Sequence, residues 1–195
     1  MCGRYYLETH LPPEEESPEL IEALNGMMSG YGQLSRDICP GDEAPVVTRR
    51  DGILTAQTMR WGFAGQGGLV INARVESIRE KPMFRGLVDR QRCAMPAAGY
   101  YEWRDADGQK YRVGFAGGEW FCLAGLYRFG AQGPEFVVLT QPPAPEIAPI
   151  HDRMPLMLDI NSALDRWLGG DIPPTELDYR LRVDAVGPEQ LTMAF

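Results

Sequence analysis

The chain opens Met1-Cys2-Gly3-Arg4, and once Met1 is trimmed Cys2 carries a free amine and a thiol on adjacent carbons. That pair condenses with an aldehyde and closes a five-membered thiazolidine ring. The unperturbed amine titrates at about 7.7–8.0 and the thiol at about 8.5, so near neutrality both nucleophiles are partly available and easily tuned by their surroundings. The competing assignment is a small apolar side chain tucked into a first strand. Position 2 alone does not choose between them.

Three further islands resist explanation by packing. In Ile71-Asn72-Ala73-Arg74-Val75-Glu76, polar groups end an apolar strand instead of alternating along it. In Met95-Pro96-Ala97-Ala98-Gly99-Tyr100-Tyr101-Glu102-Trp103, one carboxylate sits between aromatic rings. The third, Ile150-His151-Asp152-Arg153-Met154-Pro155, follows a Pro-rich loop at 141–149 that delivers one of only two histidines. Each island also has a structural assignment. Glu102 on a strand suits a cross-strand ion pair, His151 a hydrogen-bonded framework role, Asn72 a turn, and Arg74 a pairing with Glu76 or Asp152.

The elements that must position these residues are mostly strands. β-Branched and aromatic runs predict strands at 3–7, 45–49, 53–62, 69–73, 93–103, 110–115, 120–128, 135–140 and 156–158. Asp107-Gly108 is a turn signal that makes 101–104 and 110–115 a hairpin. Helices are expected at 18–28 with Ser17 as cap, at 82–92 with Phe84, Leu87 and Val88 at helical spacing, at 161–168, and as a short piece at 173–179. The fold class that follows is α+β, one domain over 1–195 built on a bent, largely antiparallel, barrel-like sheet with a few flanking helices.

A chain of 195 residues suffices for one sizeable core. No apolar run approaches the roughly 18 residues a membrane helix needs, and the start lacks the basic and apolar regions of a secretory leader, so a cytoplasmic, nucleoid-associated monomer with no membrane partner is expected. Cys2, Cys39, Cys93 and Cys122 show no paired spacing, and only His10 and His151 could join them, so neither a metal site, a disulfide framework nor a cofactor is expected. The net charge of −8 weighs against nucleic acid, although whole-chain charge does not set the field within one groove. Acidic residues crowd the first stretch, Glu14, Glu15, Glu16, Glu19 and Glu22, while Arg60, Arg74, Arg79, Lys81, Arg85, Arg90 and Arg92 cluster in the middle, as a solvated face or as a strand-binding path.

Taken in order, the motifs resemble one family, the SOS-response-associated SRAP domain. They are MCGRY at 1–5, CPG at 39–41, WGF at 61–63, INARVES at 71–77, RCAMPAAGYYEW at 92–103 and HDRMPLML at 151–158. Several independent motifs in one order are far more specific than any single one. The resemblance implies a protein that crosslinks covalently to abasic sites in single-stranded DNA, with Cys2 as the crosslinking residue and Asn72, Glu102 and His151 as its catalytic partners. It also implies that Arg4, Pro40, Trp61, Arg74 and Arg153 lie along the DNA path. In that setting Glu102 moves protons during Schiff-base formation, His151 serves the opened sugar oxygen or reversal, and Arg74 offers a fork for a phosphate. A Schiff base also permits β-elimination, so weak lyase activity is an expected side reaction.

Three departures from the family pattern stand out. The loop 64–68 after WGF is short and carries no ring to stack on a base, Ala98 stands where Asp or Ser is usual, and the tail from Val183 lacks an Asn-rich closing segment. Two other functions compete. Cys2 with His151 and Asn72 suits an amino-terminal cysteine hydrolase, and the acidic charge and lost loop suit a non-catalytic β-domain that binds a partner.

Overall fold

Strand formation starts from turn chemistry. In the first long hairpin, Glu43–Arg50 against Ile53–Trp61, the connecting residues Asp51 and Gly52 both adopt positive φ (53° and 82°), the conformation that matches the twist of the flanking strands. The computed structural model describes residues 2–8, 17–28, 36–65, 67–118, 120–171 and 180–187. Its elements run β1 (Tyr5–Leu7), α1 (Pro18–Met28), β2 (Arg36–Ile38), β3 (Glu43–Arg50), β4 (Ile53–Trp61), β5 (Phe63–Gly65), β6 (Gly68–Val70) and β7 (Asn72–Arg74). A 3₁₀ turn at Val75–Ser77 precedes β8 (Arg92–Ala97), β9 (Gly99–Trp103), β10 (Lys110–Phe115), β11 (Phe121–Gly130) and β12 (Gly133–Gln141). The chain continues through β13 (Met154–Pro155), β14 (Met157–Asp159), α2 (Ser162–Gly169) and β15 (Leu181–Ala185).

Five of these strands close a ring. β4 pairs with β3, β3 with β8, β8 with β11, β11 with β12, and β12 returns to β4 in parallel, Phe136 opposite Trp61. β7 adds to β12 in parallel, while β13 extends β12 and β14 extends β11. A second sheet runs β15-β10-β9-β1-β2, antiparallel throughout. The fold is therefore α+β, a bent and mostly antiparallel barrel with two flanking helices among the described residues.

The two sheets are joined where β8 passes into β9. The sequence reads 93–103 as one strand, but the chain changes sheets at Ala98 and Gly99. The Tyr6 ring lies so close to Gly99 that any Cβ there would overlap the phenol. The Asp107-Gly108 hairpin forms as expected, with Lys110 opposite Trp103 and Gly108 at φ 71°. Helix α1 has the expected bounds, starts on Pro18, and buries Leu20, Ile21 and Leu24 against β3 and β4.

Other expectations need correction. The helix expected at 82–92 is instead a chain of turns over 82–90, with Arg92 already in β8: Phe84 and Leu87 donate to carbonyls three residues back, Arg85 to one four back. Phe84 and Val88 are still buried, so the apolar spacing is real, but Gly86 between them weakens any helix. The 69–73 run divides at Ile71 into β6 and β7. The cap of α2 is the Asp159 carboxylate, which accepts from the N–H groups of Asn161, Ser162 and Ala163 at 2.7–3.1 Å. β2 and β15 were not expected at all, and the helix proposed at 173–179 and the acidic residues Glu14, Glu15 and Glu16 lie outside the described residues.

Candidate active site around Cys2

Pairing of β1 with β9 brings the first islands together. Tyr5 lies opposite Tyr100 and Tyr6 opposite Gly99, and the Arg4 carbonyl accepts from Tyr101 N–H at 2.9 Å. Carrying that register on sets Gly3 across from Glu102, next to Cys2. Strand alternation then sends Tyr100 and Glu102 to one buried face of β9 and Tyr101 and Trp103 to the other, half-buried one.

Cys2 is fully buried, and its carbonyl accepts a 2.9 Å hydrogen bond from Asn72 Nδ2. Asn72 starts β7, held by β12 with Val138 as its partner. Burial, and after it the charge of Glu102, pushes the Cys2 thiol up to about 12, against a smaller opposing effect of the Arg4 backbone N–H. Tyr100 is raised well above the usual phenol range by burial first, then by Cys2 and Glu102. Cys2, Tyr100 and Glu102 thus form one electrostatically linked cluster, with Asn72 attached through the Cys2 carbonyl.

A cleft of about 1080 Å³ opens from Asn72 and is lined by Arg74, Lys81, Met83, Phe84, Arg128 and Thr140. Arg74 is exposed and makes no ion pair among the described residues. Arg128 bonds Glu135 and the Ala64 carbonyl and lies 4.4 Å from the Phe63 ring centre, so its position is fixed. On the opposite face of β9, Arg4 sits 5.5 Å from the Trp103 ring centre and 3.5 Å from Asp37, and Lys110 lies 4.1 Å from the Tyr101 ring centre. Arg4, Trp103 and Lys110 line a second pocket of about 500 Å³.

His151 arrives on the ladder β7-β12-β13, where Arg74 opposes Thr140 and Thr140 opposes Pro155. Two hydrogen-bonded turns over 144–151, anchored by the fully buried Ile147, carry it there. Its Nδ1 accepts from Arg153 N–H at 3.0 Å and lies 2.9 Å from the exposed Asp152 carboxylate. A neutral ring that accepts at Nδ1 carries its proton on Nε2; a protonated ring donates from Nδ1 to Asp152 instead.

Two residues assigned to the DNA path lie in the interior. Trp61 is fully buried: its ring stacks on Phe136 at 6.1 Å, touches Tyr5 at 5.4 Å, and its Nε1 donates to the Ile71 carbonyl at 3.0 Å. Its backbone also holds the Pro40 turn, accepting from Gly41 N–H at 2.8 Å and donating to the Asp42 carbonyl at 2.9 Å. Trp61 therefore braces β1, Asn72 and Pro40 at once. Arg153, 8 % exposed, grips Glu76 with both terminal nitrogens and donates to the Thr140 carbonyl at 2.7 Å. Glu76 is accordingly held below the usual carboxylate range, chiefly by its bond to Arg153.

The basic cluster of the sequence is not one face. Arg92 is buried, bonded to the carbonyls of Val88, Trp167 and Asp171, and stacked 4.5 Å from the Trp167 ring centre. Arg79 pairs with Asp89 and Arg60 with Gln132; of the remaining four, Arg74 and Lys81 line the cleft, whereas Arg85 and Arg90 are not among its lining residues. Sequence reasoning missed Tyr100, Thr140 and Arg128. Tyr100 stands two residues from Glu102, which on a strand is enough to put it on the same face; no comparable signal marks the other two.

The chain is 27 % identical over 173 residues to the abasic site processing protein YoaM of Bacillus subtilis (strain 168), covering 81 % of this chain and 75 % of that one. It is 28 % identical over 150 residues to the abasic site processing protein YedK of Escherichia coli (strain K12), covering 72 % and 67 %. A crystal structure of a protein from Bacteroides thetaiotaomicron superposes with a TM-score of 0.71 at 18 % identity, over 94 % of this chain and 92 % of that one, which speaks to the fold. The model of the family described as SOS response associated peptidase (SRAP) matches residues 1–192, and to that family the chain belongs.

Proposed function

We propose that the protein captures the aldehyde of an abasic site in single-stranded DNA, with Cys2, freed by removal of Met1, as the covalent link. The observation that carries this reading is the enclosure of Cys2: Asn72 holds its carbonyl, the Glu102 charge acts on its thiol, and a cleft with three cationic side chains opens from Asn72. The abasic site processing proteins it resembles support the choice of substrate.

The order of steps follows from the two nucleophiles. A thiol pushed up to about 12 stays protonated at neutral pH, so the amine attacks first. As the nitrogen–carbon bond forms, the carbonyl π pair moves to oxygen, which gains a proton while nitrogen sheds one to Glu102. The nitrogen lone pair then expels the hydroxyl as water, with Glu102 returning its proton; the iminium so formed releases to solvent the proton that the oxygen had taken from solvent, and a neutral Schiff base remains. Finally the sulfur adds to the imine carbon and its proton ends on nitrogen. Aldehyde plus aminothiol gives thiazolidine plus one water. The last step is intramolecular, which is where effective molarity is gained. His151 serves the opened sugar oxygen and reversal, and β-elimination from the Schiff base is the lyase side reaction.

The same thiol argues against hydrolysis of peptides as the main activity. A cysteine hydrolase needs a thiolate, favoured by cationic surroundings, whereas burial and Glu102 hold this sulfur as S–H. Single strands are preferred because a paired sugar must first be unstacked, at about a few kcal/mol. The deciding experiment is incubation with an abasic single-stranded oligonucleotide and a denaturing gel after heating. A heat-stable shifted band is expected; its absence in protein shown by intact mass to begin at Cys2 refutes the reading.

A further inference from the structure

Tyr100 is fully buried, yet its hydroxyl has no hydrogen-bond partner among the described residues. Leaving such a group unsatisfied carries its full desolvation penalty, so a bare buried phenol calls for a reason. A phenylalanine in the same place would bury the same ring without that cost. Register and alternation supply the setting: Tyr100 pairs with Tyr5 and shares the inward face of β9 with Glu102, and both side chains interact electrostatically with Cys2. Asn72 Oδ1, on the residue that holds the Cys2 carbonyl, is likewise buried and without a partner. Two unfilled polar positions therefore border the same nucleophile.

We infer that the Tyr100 hydroxyl is a further catalytic group, donating a hydrogen bond to the aldehyde oxygen of the substrate while the Cys2 amine adds to the carbonyl carbon. This rests on the aldehyde-capture reading above. In that step the carbonyl π pair moves onto oxygen, and a donor already aimed at that oxygen stabilises the charge without reorganisation. Tyr100 does not give up its proton: burial and the neighbouring Cys2 and Glu102 keep the phenol protonated. Glu102 carries the proton from nitrogen, so the two side chains divide the work. Tyr100 holds the oxygen and Glu102 moves the proton.

The test is Tyr100→Phe in the full chain, which deletes one oxygen and keeps the ring. Single-turnover crosslinking to an abasic single-stranded oligonucleotide is measured alongside affinity for the same strand carrying a tetrahydrofuran analogue, which has no aldehyde, and alongside the melting temperature. Crosslinking is expected to slow about 100-fold, the lower end for loss of one preorganised donor. Analogue affinity should stay within twofold and the melting temperature unchanged or higher. Because addition precedes ring closure, the borohydride-trappable species and the heat-stable adduct should slow together. A crosslinking rate within twofold of the parent overturns the inference and leaves the proposed function standing. So does a lowered melting temperature, which would mean that the hydroxyl has a structural partner. Failure of the parent itself to crosslink removes both.

Discussion

Arg74 and Arg153 both derive from motifs placed along a DNA path, yet their surroundings predict opposite behaviour on removal. Arg153→Ala deletes the two-pronged contact with Glu76 and the 2.7 Å bond to the carbonyl of Thr140, a residue with no exposed surface. The Glu76 side chain is 46 % exposed and resolvates, so the ion pair itself contributes only about 0–1 kcal/mol. The orphaned Thr140 carbonyl adds about 1–3 kcal/mol, and the whole change comes to roughly 2–3 kcal/mol. For a chain of this size that is a fall of about 4–12 °C in melting temperature. Arg74→Ala removes an exposed cation that makes no direct ion pair among the described residues and acts on Glu76 only weakly through space, so the melting temperature should move by about 1–2 °C at most. If Arg74 neutralises one phosphate, the slope of log K against log salt becomes shallower by about 0.7, and the affinity gap to the parent narrows about 2.6-fold between 50 and 200 mM salt. Thermal denaturation and fluorescence anisotropy with a tetrahydrofuran-containing single strand read the two quantities separately. The reasoning fails if Arg153→Ala keeps the parent's melting temperature and takes the 0.7 from the salt slope, or if Arg74→Ala leaves that slope unchanged.

Cys2→Ala should abolish the heat-stable adduct, whereas Cys2→Ser should retain a Schiff base that borohydride traps; undiminished crosslinking by Cys2→Ala would hand the reaction to another nucleophile. Glu102→Gln should slow adduct formation by about 10²–10⁴ while lowering the pH at which Cys2 reacts with a small alkylating reagent. That lowering is partial, because burial, the larger cause of the raised thiol, remains. Loss of rate with no change in the alkylation profile would separate Glu102 from the thiol. Stability should be lost on the alkaline side: Cys2, Cys93 and Cys122 are all raised by burial, Cys2 to about 12. Unfolded thiols release their protons above about 8.5 and the folded ones keep them, so ΔG of unfolding falls as pH rises from there, by up to about 1.4 kcal/mol per pH unit for each thiol. Denaturant titrations from pH 7 to 10.5 measure it, and a flat profile contradicts the burial of these thiols.

Legibility of the fold followed how local its causes are. Helix α1 could be read because Pro18 and the apolar spacing of Leu20, Ile21 and Leu24 act within a few turns, and the β9-β10 hairpin because Asp107-Gly108 fixes it locally. The break at Ala98 and Gly99 could not, since its cause is the Tyr6 ring, brought there by strand pairing. β2 and β15 lie at the edges of their sheet, where Arg36, Asp37, Arg182 and Asp184 face solvent and dilute the strand pattern. The site divides in the same way. Cys2, Asn72 and Glu102 stood out because their chemistry is unusual for their positions. The partners of the cations did not: the pairing considered for Arg74 with Glu76 belongs to Arg153, and nothing along the chain distinguishes one arginine from the other before β7, β12 and β13 are laid side by side.

Burial of the reactive cysteine follows from the chemistry proposed for it. An exposed amino-terminal cysteine with both groups free would react with any small aldehyde and, as thiolate, with oxidants and disulfides. Enclosing it and setting Glu102 beside it suppresses the thiolate, and the same carboxylate becomes the base that the amine requires. The thiol is thus quiet until an imine forms on its own residue, and then needs no ionisation in advance because the imine nitrogen accepts its proton. Asn72, which holds the Cys2 carbonyl, also lines a cleft whose Arg74, Lys81 and Arg128 favour a polyanion in a chain of net charge −8. Selectivity in this scheme comes from access: the aldehyde that reaches the amine is the one attached to a phosphate backbone the cleft can hold. A neutral small aldehyde offered at the same concentration should therefore react far more slowly than the abasic strand, and raising the salt should erase most of that difference without changing the rate of the small aldehyde.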